Sequence, residues 1–291
     1  MVILLADAFT ADLPKRLAAY GTVVQDMAQV GEAEIIIVRS KTKVTKETID
    51  AAPKLKFVIR GGVGVDTIDV PYAESKGITV TNTPEASSLA VAELAFAMML
   101  AMPNNLVQAD VSMKEGKWLK KDLERTELMG KTIGFVGIGR IAREVATRAK
   151  AFGMRVIAYD KYVEKSDVAE MVSLDTVYAQ SDYISLHTPL TDETKGMICT
   201  ASLNKMKKGA RLINTCRGQV VIEEDIVAAL KDGRLGGYAA DVFYKEPPEG
   251  SPLLGAPNVL LAPHLGASTA ENLIRLGDCI VDRVQAYAAK K

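Results

Sequence analysis

The sequence predicts an α/β protein of two parallel-sheet domains, one inserted in the other. Three observations carry that prediction: two separate series of short β-branched runs alternating with helical stretches, a long apolar helical segment between them, and an amphipathic helix after the second series. With 291 residues and 48% hydrophobic side chains, the chain has enough apolar surface for two cores.

In chain order, the first series places strands in VILLA (2–6), EIIIV (34–38), KFVIR (56–60) and ITV (78–80), with helical stretches near 11–20 and 45–52. From Glu85 the segment SSLAVAELAFAMMLAM is apolar almost all round, which describes a buried helix, and Pro103 breaks it before a second helical run to about Lys114. The second series starts at Lys131, with strands near 132–137, 155–159, 183–187, 210–214, 237–241 and 258–261. Beyond it, Leu273, Ile274, Leu276, Ile280, Val281 and Val284 recur at helical spacing behind a Ser268 or Thr269 cap. Helical connectors at both ends of the second series predict that residues 98–266 are inserted into a domain made of 1–97 and 267–291. A cleft between such domains is the expected place for a small ligand.

Lysine plus arginine equals aspartate plus glutamate at 36 each, so neither nucleic acid nor an anionic membrane is an expected partner. Cys199, Cys216 and Cys279 are far apart and odd in number, against a disulfide framework or a metal site. No secretory leader and no run of eighteen uncharged apolar residues is read, so a reducing cytoplasm is the expected setting.

Residues 131–160, KTIGFVGIGRIAREVATRAKAFGMRVIAYD, read strand, glycine turn, helix, strand and acidic residue. This is the context a dinucleotide site needs, and it makes the second domain Rossmann-like where the first is Rossmann-like or flavodoxin-like. Gly137 permits the turn out of the strand, Gly139 lets the backbone approach a pyrophosphate, and the helix opening at Arg140 and Ile141 offers N–H groups to it. Ala142 replaces the third glycine. Asp160, 23 residues after Gly137, is placed for ribose hydroxyls and would repel a 2′-phosphate, which predicts NAD rather than NADP.

Oxidising an alcohol with a nicotinamide needs a base for the hydroxyl proton, a cation for a substrate carboxylate and a group that sets the base's pKa. Arg217 follows the apolar strand of INTCRG and can grip a carboxylate bidentately. Asp241 ends the strand of YAADVF, Glu246 follows in a proline-flanked loop, and His264 follows the strand of NVLLAPH. A carboxylate beside that histidine would raise its pKa and orient its ring. His187, Thr188 and Pro189 end another strand and are expected to line the cofactor pocket, a structural histidine being the alternative reading of His187. Cys216, Asp241, Gly266 and Ala267 are further candidates to frame the nicotinamide.

The segments VGIGRIA, HTPL, INTCRG, DVFYKEPP and APHLGAST occur in an order and spacing that resembles the D-2-hydroxyacid dehydrogenase family from about Val38 to Ala270. The resemblance implies that Arg217 binds the substrate carboxylate, that His264 is the acid–base and that Glu246 pairs with it. VRSKTKVT, IRGGVGVDTID and SMKEGKW are similar in particular to the phosphoglycerate dehydrogenase branch. That narrower likeness implies a small anionic substrate whose phosphate meets Arg39 and Arg60, with the backbone of Gly61, Gly62 and Val63 near its carboxylate. It also implies a homodimer. Asn104 and Ile222 depart from the usual pattern, and a regulatory domain after the last helix is not expected. Reduction of glyoxylate or hydroxypyruvate by the same residues is the alternative activity. A nucleotide-sensing binding protein, like the C-terminal-binding corepressors, is the alternative class.

Overall fold

The computed structural model describes residues 1–290 and shows two compact α/β units. One comprises Met1–Ser88 with the chain from Ala267 onward; the other is Leu89–Gly266.

The first unit holds a five-stranded parallel sheet of β1 (Val2–Leu5), β2 (Thr22–Val24), β3 (Ile35–Val38), β4 (Phe57–Arg60) and β5 (Thr79–Asn82), in the order β2-β1-β3-β4-β5. Alternate side chains supply its two faces, because successive Cβ atoms on a strand point to opposite sides. Leu4, Ile36, Val38 and Val58 build one core. Ile3, Leu5, Ile35, Ile37 and Ile59 build the other, closed by Ile280 and Val284 of the helix Ala270–Ala288. Burial on both faces is why these strands read as unbroken apolar runs. Thr269 caps the last helix, its hydroxyl accepting the Asn272 N–H at 3.0 Å.

The second unit holds seven parallel strands: β6 (Thr132–Val136), β7 (Arg155–Tyr159), β8 (Glu170–Met171), β9 (Tyr183–Leu186), β10 (Ala210–Asn214), β11 (Leu235–Ala240) and β12 (Val259–Leu261). Their order is β12-β11-β10-β9-β6-β7-β8. Strand order reverses between β1 and β3 in one sheet and between β6 and β9 in the other, and ligands of open α/β sheets bind beyond the carboxyl ends of strands at such a reversal.

The expected boundary at residue 98 falls inside the helix Pro84–Ala101, and the two compact units divide within the same helix at Leu89. Ala92, Ala95 and Phe96 already pack with Ile133 and Phe135 in the second unit. An all-round apolar helix carries no periodic mark of where it changes cores. This helix is long and apolar enough to cross a membrane by length and composition, and 56% of it is buried inside the protein. Two strands went unread. β2 is partly exposed at the sheet edge, and β8 has only two residues.

Ile280 is fully buried. Replacing it with Ala is expected to cost about 2–5 kcal/mol by opening a cavity under the last helix. The check is a lowered urea midpoint with an unchanged denaturant slope, which places the effect on stability rather than on the denatured state.

Candidate active site

All the residues expected to carry chemistry and bind the cofactor, save Ala267, lie in the second unit, at the carboxyl ends of its strands. β6 runs into Gly137, which has φ +91° and no room for a side chain: a Cβ there would stand 2.5 Å from the carbonyl oxygen of His187. The turn is thereby pressed against the end of β9, across the strand-order reversal. Gly139 differs, since its φ of −69° suits any residue and a Cβ would meet nothing within 4 Å. Nothing in the protein itself requires a glycine there. The open space lies at the N-terminus of the helix Arg140–Ala151, which no side chain caps. Unpaired N–H groups of the first turn, which includes Arg140 and Ile141, are suited to an anion there. Asp160 faces the same loop. One carboxylate oxygen accepts the Ile138 N–H at 2.9 Å, and the other accepts the N–H groups of Tyr162 (2.8 Å) and Val163 (3.2 Å).

His187 turns its ring inward: Nε2 lies 2.8 Å from the Ser185 hydroxyl and the ring packs against Phe135. Burial pushes its pKa down to about 3, so the imidazole is neutral. Its backbone, rather than its ring, borders the glycine turn. Beside it, the Thr188 side chain interacts with the Cys216 thiol, opposing the upward push that burial gives that thiol's pKa. Pro189 is exposed.

β10, β11 and β12 carry the other group. Asn214, fully buried at the end of β10, braces the loop that follows. Its amide donates to the Arg217 carbonyl at 3.0 Å, and its carbonyl accepts from the Cys216 N–H at 3.1 Å and lies 3.2 Å from the Cys216 Sγ. Arg217 then donates from Nη1 to the Cys216 carbonyl at 2.6 Å. Gly218 is where this loop meets the next, for a Cβ would fall 1.9 Å from the Phe243 carbonyl carbon. Only a glycine admits that approach. The loop it touches carries Glu246, whose Oε1 accepts the Phe243 N–H at 3.2 Å and whose Oε2 lies 2.6 Å from His264 Nδ1.

His264 has φ +55°, a left-handed conformation few side chains adopt. Asp241 supports it from below. Only 2% exposed, its carboxylate accepts the next two N–H groups, Leu265 at 2.6 Å and Gly266 at 2.7 Å. Burial pushes the Asp241 carboxyl up, opposed by those two hydrogen bonds. Asp241, expected to frame the nicotinamide, gives both carboxylate oxygens to backbone N–H groups.

The hydrogen bond to Glu246 raises the pKa of His264, with burial and the nearby Arg217 charge opposing. Partial burial pushes the Glu246 carboxyl up, but the His264 hydrogen bond and charge, the Phe243 N–H and Arg217 outweigh it and hold it below the usual carboxylate range. Arg217, Glu246 and His264 thus sense one another electrostatically. A cavity of about 580 Å³ elsewhere in this unit, lined by Gln219, Ile222, Tyr244 and Pro248 among others, contains none of the expected site residues.

In the first unit, Arg39 and Arg60 stand at the carboxyl ends of the adjacent strands β3 and β4. Arg39 donates its N–H to Asp7 and a guanidinium N–H to the Ala8 carbonyl at 3.1 Å. Arg60 donates to the Gly61 carbonyl at 2.6 Å and lies against Gly62, whose N–H is held by the Thr83 hydroxyl at 2.8 Å. Val63 is exposed and its carbonyl accepts from Asn82. In the same unit, Ala267 uses its carbonyl to accept from the Asn272 amide at 2.6 Å.

Residues 96–266 match the model of the NAD-binding domain of D-isomer specific 2-hydroxyacid dehydrogenases. A hydroxypyruvate reductase of Thermotoga maritima is 46% identical over 89% of this chain and 86% of its own length. The chain belongs to the D-2-hydroxyacid dehydrogenase family. A D-3-phosphoglycerate dehydrogenase of Methanocaldococcus jannaschii is 43% identical over 89% of this chain, which spans about half (50%) of that protein's length. Among solved structures, a D-lactate dehydrogenase of Aquifex aeolicus complexed with NAD and lactic acid superposes with a TM-score of 0.89 at 31% identity, covering 100% of this chain and 96% of that one.

As a member of this family the chain is an NAD-dependent dehydrogenase, and its residues fit the cofactor. The open face of Gly139 and the uncapped helix N-terminus beside it suit the pyrophosphate of a dinucleotide. Three residues of the second unit escaped the sequence reading: Asn214, Ser185 and Glu223. The last, 7% exposed, accepts the Tyr244 N–H at 2.9 Å and the Ser251 hydroxyl at 2.6 Å, so it ties down both ends of the loop bearing Glu246. The segment INTCRG contains Asn214 and the run VIE (221–223) ends in Glu223, but their partners lie too far away in sequence to be read.

The raised pKa of His264 fixes the sign of a pH effect. Its pairing contributes to stability in full below the unfolded value near 6.5, and that contribution fades as pH rises through the raised folded value. With His264 as the base, the role proposed below, alcohol oxidation is expected to accelerate as pH rises through the same value. Glu246→Gln removes the carboxylate charge, so the rate rise should move to lower pH. A pH profile of kcat for the wild type and this variant checks it.

Proposed function

We propose that this chain oxidises D-3-phosphoglycerate to 3-phosphohydroxypyruvate with NAD, the entry step of phosphorylated serine synthesis, using His264 as its acid–base. The observation that carries the chemistry is the 2.6 Å contact between His264 Nδ1 and Glu246, beside the Arg217 guanidinium. With Nδ1 committed to Glu246, Nε2 is the atom that takes the C2-hydroxyl proton. Glu246 stabilises the imidazolium that results. Arg217 holds the substrate carboxylate by paired N–H donors and fixes which hydroxyl meets the base. Bound NAD supplies the acceptor for the C2 hydride. Asp160, a carboxylate at the end of β7, disfavours a 2′-phosphate and with it NADP.

Arg39 and Arg60 are the residues we assign to the substrate phosphate, with Gly61, Gly62 and Val63 supplying backbone toward its carboxylate. The likeness to phosphoglycerate dehydrogenases supports this assignment. We expect a homodimer in the cytoplasm.

A second reading is hydroxypyruvate reduction. It is favoured by the Thermotoga relative, 86% of whose length this chain covers. Both arginines also already donate to backbone carbonyls, Ala8 and Gly61, which reduces what they offer a phosphate. Asn104, which departs from the usual pattern, is engaged within the protein, accepting from Arg125 Nε at 2.6 Å and donating to the Leu100 carbonyl at 2.8 Å.

Initial rates of NADH formation with D-3-phosphoglycerate, D-glycerate and an NADP control separate these readings. Turnover with NAD that needs the phosphate is expected; faster turnover of D-glycerate and hydroxypyruvate would transfer the assignment to the second reading. His264→Ala should lower kcat by about 10²–10⁴ with NAD affinity unchanged. Loss of NAD binding in that variant would contradict the acid–base role.

A further inference from the structure

We propose that the buried Tyr238 hydroxyl is a positioning group for the reaction: it locks the Asn214 amide and, through that amide, the loop that presents Arg217, a role that rests on the reading of Arg217 as the grip on the substrate carboxylate. Tyr238 lies on β11 and pairs with Leu212 of β10, while Asn214 pairs with Ala240. Paired residues of neighbouring strands share a sheet face, as do residues two apart on one strand, so Asn214 and Tyr238 are diagonal neighbours on the same face. The phenol spans that diagonal, and its oxygen accepts an Asn214 Nδ2–H at 3.3 Å.

The amide is thereby fully engaged. One of its two N–H donors goes to the Arg217 carbonyl at 3.0 Å and the other to Tyr238, while Oδ1 takes the Cys216 N–H at 3.1 Å and lies 3.2 Å from the Cys216 Sγ. Asn214 is fully buried, so solvent cannot replace a partner that is lost. An amide left with an unsatisfied N–H turns toward another acceptor, and this one cannot turn without releasing the backbone of Cys216 and Arg217. Tyr238 is itself fully buried, in the core that contains Leu212, Val220 and Phe243. A phenylalanine would fill that core equally well, so packing does not account for the hydroxyl, and Asn214 does. Burial pushes the phenol pKa up, so the group stays a neutral O–H. From β11 the restraint thus runs through one side chain into the loop that also makes the Gly218 contact with Phe243.

The test compares Tyr238→Phe with the wild type by two readouts on the whole protein. The first is an NMR titration of the imidazole C–H signals without substrate. The chain has two histidines, and burial holds the His187 pKa down at about 3, so the signal that titrates near neutrality belongs to His264. The Arg217 charge holds the His264 pKa down, against the pull of Glu246. Loosening Arg217 is therefore expected to move the His264 midpoint up in the variant. The second readout is steady-state kinetics with D-3-phosphoglycerate and with D-glycerate, which share the carboxylate. KM for both acids is expected to rise by the same factor, about two- to tenfold, with kcat and the KM for NAD unchanged. In an Arg217→Ala background the phenylalanine should raise KM no further. A variant with a lowered urea midpoint but wild-type His264 titration and wild-type KM would overturn the proposal, since the hydroxyl would then serve the core alone. A raised His264 midpoint with unchanged KM would uphold the restraint on Arg217 and remove the carboxylate role instead.

Discussion

The close approach of Gly218 to Phe243 is the constraint on which the rest of the candidate active site depends. Two loops leave neighbouring strands of a parallel sheet, and the backbone of one lies where a side chain from the other would have to be. Arg217 is the residue before that contact, and Glu246 stands three residues after Phe243. Their mutual distance is therefore set by backbone packing rather than by the flexible ends of two long side chains. Catalytic geometry tolerates errors of well under an ångström, so a contact of this kind is worth more than an added ion pair.

Around that contact, buried polar groups hold each loop from within. Asn214 fixes the turn into Arg217, Glu223 pins the loop bearing Glu246, and Asp241 clamps the two residues after His264. Each is a buried acceptor or amide whose hydrogen bonds go to backbone, the arrangement expected where polar groups must be satisfied away from water. His264 sits in a left-handed conformation that would be strained alone, and Asp241 over-determines it. The result is a neutral-to-charged switch at one imidazole, held by Glu246, inside a shell that does not itself titrate near neutrality in the case of His187.

Much of this could be read from the amino-acid order because parallel strands buried on both faces appear as apolar runs. Residues just beyond such runs necessarily emerge on one sheet edge. Thus Arg217, Asp241 and His264 are placed on one edge by the amino-acid order alone, and so are Gly137 and Asp160. What escaped were features set by long-range partners. Nothing local distinguishes Gly139, whose conformation any residue could adopt, from Gly137, whose φ demands glycine. The sequence likewise cannot show that His187 points at Ser185, or that Asp241 spends its oxygens on backbone. The unit boundary at Leu89 was hidden inside a helix with no polar face, and the edge strand β2 was hidden by its exposure.

The central claim is that Glu246 acts through His264 rather than on its own account. A double-mutant cycle in kcat/KM with Glu246→Gln and His264→Ala tests it most directly. With His264 intact, removing the carboxylate charge should slow oxidation; with His264 already absent, the same change should cost nothing further. If the two losses simply add, the carboxylate has a separate function and the pairing described here is not the source of its effect.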